Sequence, residues 1–173
     1  MTHPPKYVLG FAFDESLKHV VLLQKVKPAW AAGMWNGLGG KIEGTDASPH
    51  DAMEREFKEE CGVLVPAENW QHLGAFERPE WYVECFCTRT DDIFAACTVE
   101  KEKITIYPVA QFLANTVLEP DTHSGLECAW LVPYARRFLL KPEARNQFTS
   151  SLIESLSEPE IGPSSGGRKS PRP

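Results

Sequence analysis

The stretch from Gly37 to Val63 constrains this chain more than any other, because it runs a glycine-rich loop into a helix with both ends marked. Ser48-Pro49 predicts an N-cap with proline at the first helical position, and Cys61-Gly62 predicts a glycine stop. At about 100° per residue, with Glu56 taken as origin, Glu60 falls at about 40° and Glu59 at about −60°. The three carboxylates then share one face, Met53 and Phe57 are placed to anchor the helix on a core, and Glu54 and Lys58 point to solvent. Like charges so spaced repel by about 0.2–0.5 kcal/mol per pair. A bare E-x-x-E-E therefore reads as a solvated acidic face. The loop Gly39-Gly40-Lys41 reverses that reading, since glycines let a backbone carbonyl and a cation approach closely. Clustered oxygens suit Mg²⁺ or Mn²⁺ held together with substrate phosphates.

The 173 residues suit one domain, and 42% apolar with 24% charged residues excludes a wholly disordered chain. No apolar run approaches the roughly 20 residues of a membrane span, and Met1 to Lys6 carries no signal-peptide pattern. A cytoplasmic protein with no membrane partner is expected. The net charge of −6 disfavours a nucleic-acid polymer as partner, but a metal ion can join an acidic protein to a phosphate substrate. The five cysteines include no C-x-x-C, so neither a zinc site nor a redox pair is expected, and Cys85 and Cys87 fall on one strand face. Residues 157–173, rich in Ser, Gly and Pro, read as a disordered tail behind a domain of residues 1–156.

The domain reads as α/β (α+β). Tyr7 to Phe13 and Val20 to Leu23 form a hairpin about Asp14-Glu15-Ser16, and Leu73 to Phe76 pairs with Trp81 to Phe86 across Arg78-Pro79-Glu80. Ile104 to Val109 is a strand cut short by its proline. A second helix spans about Leu126 to Leu140, with Pro133 making it start late or bend.

Gly40 through Val63 resembles the signature of the Nudix hydrolases, G-x5-E-x7-R-E-U-x-E-E-x-G-U, with U a bulky aliphatic residue. The second half, Arg55-Glu56-Phe57-Lys58-Glu59-Glu60-Cys61-Gly62-Val63, follows the pattern with Phe57 as the bulky residue. The first half departs from it: Asp46 stands for Glu, and one extra residue lies around Ala47-Ser48-Pro49. The segment Trp30-x-x-Gly33-Met34-Trp35-Asn36-Gly37-Leu38-Gly39-Gly40-Lys41 is similar to the approach loop of the branch that hydrolyses oxidised purine nucleoside triphosphates such as 8-oxo-dGTP. The likeness extends over roughly residues 6 to 140.

The resemblance implies a central mixed β-sheet sandwiched between helices, with a loop-helix-loop presenting metal ligands. It implies that Glu56, Glu60, Glu59 and the Gly39 carbonyl take Mg²⁺ or Mn²⁺, that Arg55 orients the carboxylates, and that Lys41 lies near the phosphates. Glu102, with Glu100 behind it, is the expected later-loop glutamate, and either Glu56 or Glu102 serves as general base. Trp30, Trp35 and Asn36 are candidates for stacking on and reading a base, and Glu127 stands alone where the oxidised-purine branch carries paired acidic residues before its last helix.

The expected partner is a small-molecule nucleotide, and the expected protein is a monomer or homodimer. Three functions follow from these residues: a pyrophosphohydrolase cleaving a purine nucleoside triphosphate to monophosphate and pyrophosphate, an ADP-ribose or nucleotide-sugar pyrophosphatase, and a nucleotide-binding module that has lost catalysis. Such modules lose helical glutamates, and all three are present here, which favours an enzyme. Pro79, sixteen residues past Val63, is the hint for ADP-ribose, though a turn between strands explains it better.

Overall fold

The structure, a computed structural model, describes residues 5–119, 123–124 and 126–141, the side chains of Arg78, Leu126 and Glu127 excepted. The chain divides into Met1–Pro142 and Glu143–Pro173. The architecture below belongs to the first unit, and the expected tail, 157–173, lies outside the described residues.

Among the described residues six strands form one mixed sheet. β1 (Lys6–Phe13) and β2 (His19–Gln24) make the expected hairpin, closed by Phe13 opposite Val20. β1 also runs parallel to β5 (Trp81–Arg89) along its whole length, and β4 (Gln71–Arg78) continues beyond β5 as an antiparallel neighbour. β2 further pairs with the short β3 (Trp35–Asn36) and with β6 (Lys103–Pro108). β6 ends at Pro108, which has no N–H for a continuing ladder.

Alternation along the strands builds a core on each face of the sheet. On β2, Val20 and Leu22 join one cluster while Val21 and Leu23 join the other. Against the second face lies α1 (Pro49–Cys61), whose Met53 and Phe57 are fully buried as its spacing predicts. Each contributes about 1.5–3 kcal/mol. Against the first face lie α2 (Val109–Leu118) and α3 (Leu126–Leu140). The sheet is thus sandwiched between helices. Cys85 and Cys87 share the first face.

Two helical features differ from the sequence reading. α2 carries no side-chain cap, so its only signal is an apolar run continuing past β6, which buries Val109 and Phe112. α3 runs from Leu126 through Pro133, so the proline does not delay its start. Burial of Cys128, Leu131, Val132, Ala135 and Leu139 offsets the backbone bond that proline removes. Among the described residues no helix is long and apolar enough to cross a membrane.

Candidate active site

The site forms where the end of a loop meets α1. Ser48 caps the helix by accepting the Asp51 N–H at 3.2 Å, and Gly62 closes it in a left-handed conformation (φ 77°) with its N–H on the Lys58 carbonyl. The last carbonyls of α1 are taken by the 97–99 loop: the Cys97 N–H donates to Cys61 (3.1 Å) and the Val99 N–H to Glu60 (3.4 Å). That docking brings the following Glu102 beside the helix.

On the other side, residues 38–40 lie along β1. The Gly10 N–H donates to the Leu38 carbonyl (2.7 Å) and the Val8 N–H to that of Gly40 (2.9 Å). By the alternation of an extended chain, the Gly39 carbonyl between them turns away from β1. Gly39 itself has φ 147°, and a Cβ there would strike the Val8 carbonyl. A Cβ on Gly40 would stand 2.5 Å from Glu56 Oε2. Both glycines are therefore required by contact with what lies behind them. Gly40→Ala is expected to push the Glu56 carboxylate aside and weaken Mn²⁺ binding while far-UV circular dichroism stays unchanged.

Glu60 Oε2 accepts the Gly39 N–H at 2.8 Å. Burial pushes the Glu60 carboxyl up to about 8, against the Gly39 hydrogen bond, with Glu56 and Glu102 adding repulsion and Lys25 easing it. Burial also raises Glu56, opposed by Arg55. All five guanidinium donors of Arg55 are engaged. Nε and Nη2 grip both oxygens of Asp46 at 2.9 Å, Nη1 reaches Glu56 (2.9 Å) and Glu59 (3.1 Å), and Nη2 also meets the Lys41 carbonyl (3.0 Å). The Arg55 hydrogen bonds hold Asp46 below the usual carboxylate range.

The expected residues divide accordingly. Gly39, Arg55, Glu56, Glu60 and Glu102 come together, with Lys41 entering through its backbone carbonyl and its side chain exposed. Glu59 is exposed and turned onto Arg55. With Glu100 it borders an open groove of about 740 Å³ on the outer side of α1. Glu54, expected in solvent, instead accepts the Ala67 N–H at 2.7 Å and so fixes the next turn.

A smaller pocket, about 260 Å³, opens beside Gly39 and Gly40 and is lined further by Asn36, Phe76, Trp81, Val83 and Leu131. The same glycines back onto Glu56 and Glu60, neither of which lines the larger groove. Asn36 lies here, its Oδ1 accepting the Cys128 thiol at 2.7 Å. Trp30 does not line it, standing 76% exposed on the turn Ala29–Ala31. Trp35, half-buried, packs edge-on against Tyr107 at the edge of the core. The side chain of Glu127 is outside the described residues. Trp81 was not singled out by its sequence. Its signal was alternation with Val83 directly after a turn, which sets both on one face.

Among the described residues no three His, Cys, Asp or Glu side chains converge into a ready-made metal cage. The donors that do meet are oxygens: two helical carboxylates, one glycine carbonyl and the nearby Glu102. With the Gly40 cradle that only a missing Cβ leaves open, this set fits a hard cation that keeps waters and completes its shell from substrate.

A family model of the NUDIX domain matches residues 3–126. Among solved structures, the chain is similar to the NUDIX domain of Shewanella oneidensis NrtR complexed with ADP ribose. Identity is 17% and TM-score 0.59, over 80% of this chain and 90% of that one. It is similar to a MutT structure from work on Aliivibrio salmonicida and Vibrio cholerae, at 17% identity and TM-score 0.55, over 74% and 94% of the two chains. A MutT/nudix family protein from Enterococcus faecalis matches at 18% identity and TM-score 0.52 over 62% of this chain; only 45% of that chain is covered. Identities this low carry the fold and leave the substrate open.

Proposed function

Because the chain belongs to the NUDIX domain family, the family of nucleotide pyrophosphohydrolases, we propose that it cleaves a purine nucleoside triphosphate to the monophosphate and pyrophosphate with Mg²⁺ or Mn²⁺. One observation carries the reading: Gly39 and Gly40 form the wall of the pocket and touch the carboxylates, so base and phosphates meet across one glycine pair. The pocket's 260 Å³ lies under the usual range for drug-sized ligands, which favours a single base in it with the phosphates outside.

In this reading Glu56, Glu60 and the Gly39 carbonyl hold the ion. When bound, the ion neutralises phosphate charge and lowers the pKa of a water. Arg55 keeps Glu56 oriented. Lys41, on the exposed rim, attracts the polyphosphate. Glu56 is favoured as proton acceptor over Glu102, whose carboxylate is tied to Lys25 at 3.2 Å. Trp81 offers a stacking face and Asn36 an amide for the base edge.

Trp81→Ala is expected to weaken every base alike, by about 1–3 kcal/mol in kcat/KM. Asn36→Ala should lower selectivity among bases by a similar amount, through an unsatisfied partner. The deciding measurement is kcat/KM, with products separated, for nucleoside triphosphates, oxidised purine triphosphates and ADP-ribose. The second reading, ADP-ribose cleavage, draws on the likeness to the NrtR domain and on Pro79 in the β4–β5 turn. Efficient ADP-ribose turnover with negligible triphosphate cleavage would promote it. Metal-dependent binding without turnover of any substrate would make the chain a binding module.

A further inference from the structure

We propose that Lys25 is a tethered counter-cation of the carboxylate site, holding Glu102 beside Glu60 in the ion-free protein and opposing the entry of a free divalent ion. This rests on the reading of Glu56, Glu60 and Gly39 as the ion's ligands. The backbone sets the pair. The ladder between β2 and β6 ends with Gln24 opposite Lys103, so the next residues outward, Lys25 and Glu102, face each other.

Lys25 Nζ lies 3.2 Å from Glu102 Oε1, and the Val26 N–H reaches the same oxygen at 3.4 Å. The two side chains are 29% and 21% exposed, so neither charge is fully screened by water. Lys25 is itself anchored at the backbone. Its N–H donates to Met34 at 2.9 Å, and its carbonyl accepts the Gly33 N–H at 2.8 Å. Glu102 comes from the loop that closes α1 on the Glu60 carbonyl. The charges of both residues act on Glu60, with opposite sign.

This placement gives Lys25 two opposed effects. In the ion-free protein it relieves repulsion among Glu56, Glu60 and Glu102. Toward an incoming cation it is a like charge fixed beside the ligands. A free ion therefore binds weakly, and a polyphosphate anion offsets the lysine when ion and substrate arrive together. Lys25 is a positioning residue, acting through Glu102.

The test is titration with Mn²⁺ alone, without nucleotide, followed by electron paramagnetic resonance. Lys25→Met keeps the apolar stem and is expected to tighten Mn²⁺ binding about three- to tenfold, the effect of removing one partly screened like charge. Lys25→Arg should stay close to wild type. In a Glu102→Gln background the tightening should shrink, because that carboxylate places the ammonium. Metal-free Lys25→Met should also melt lower than wild type at pH 8, a second readout that needs no activity. Unchanged or weaker Mn²⁺ binding by Lys25→Met, or equal tightening with and without Glu102, overturns the proposal. Wild-type affinity in Glu60→Gln would instead remove the ligand assignment on which it rests.

Discussion

Glu60→Gln is expected to make the metal-free protein more stable at pH 9 and to remove most of its divalent-metal-dependent turnover. The carboxyl is pushed up to about 8 by burial, against a usual 4.5. A group raised in the folded state stabilises fully below its unfolded value, and that contribution is lost as pH rises through the folded one. Metal-free wild type should therefore lose stability between about pH 4.5 and pH 8, because the unfolded chain releases a proton that the folded one keeps on Glu60; above pH 8 an ionised Glu60 faces Glu56 and Glu102. Glutamine carries no such charge, and its amide oxygen can still accept the Gly39 N–H. With discount for solvent access, the gain at pH 9 is on the order of 1–3 kcal/mol. Catalysis moves the other way: loss of an anionic ligand should lower kcat/KM roughly a hundredfold or more. Thermal denaturation in chelator across pH, beside steady-state rates in Mg²⁺, checks both. A variant that melts below wild type at pH 9, or turns over normally, would refute the assignment of Glu60.

The helix and the shared face of its carboxylates were legible because their signals are local. Ser48, Pro49 and Gly62 mark the ends of α1 within one segment, and the spacing of Glu56 and Glu60 fixes their common face. The mixed sheet was legible as strands but not as an order, since β1 pairs in parallel with β5 some seventy residues on. The pocket depends on that order. Trp81 faces Asn36 and the glycines only because β5 lies beside β1, whereas Trp30 and Trp35, close to the glycines in sequence, are carried to the surface and against the edge of the core. Lys25 and Glu102 meet for the same reason, through a strand register that neither residue announces.

Asp46 bears most directly on how the chain departs from the family pattern. It reaches Arg55 with both oxygens at 2.9 Å and is only 5% exposed, so the extra loop residue and the shorter side chain offset each other. Asp46→Asn is expected to destabilise the fold by about 2–3 kcal/mol, leaving a half-buried guanidinium without its bidentate partner. For a chain of this size that is a fall in melting temperature of about 5–10 °C. Because Asp46 is held below its usual range, its contribution is complete above about pH 4 and disappears on acidification through the lower folded value. Wild type and variant should therefore converge in stability in strong acid. Arg55 also holds Glu56 and Glu59, so its release should lower kcat about 10- to 100-fold, as loss of an outer-shell partner does. Asp46→Glu should not restore the wild type, because the longer side chain meets a loop already extended by one residue. Equal melting temperatures for Asp46→Asn and wild type at pH 7 would show that the grip on Arg55 contributes nothing. Full recovery by Asp46→Glu would show that loop length does not matter.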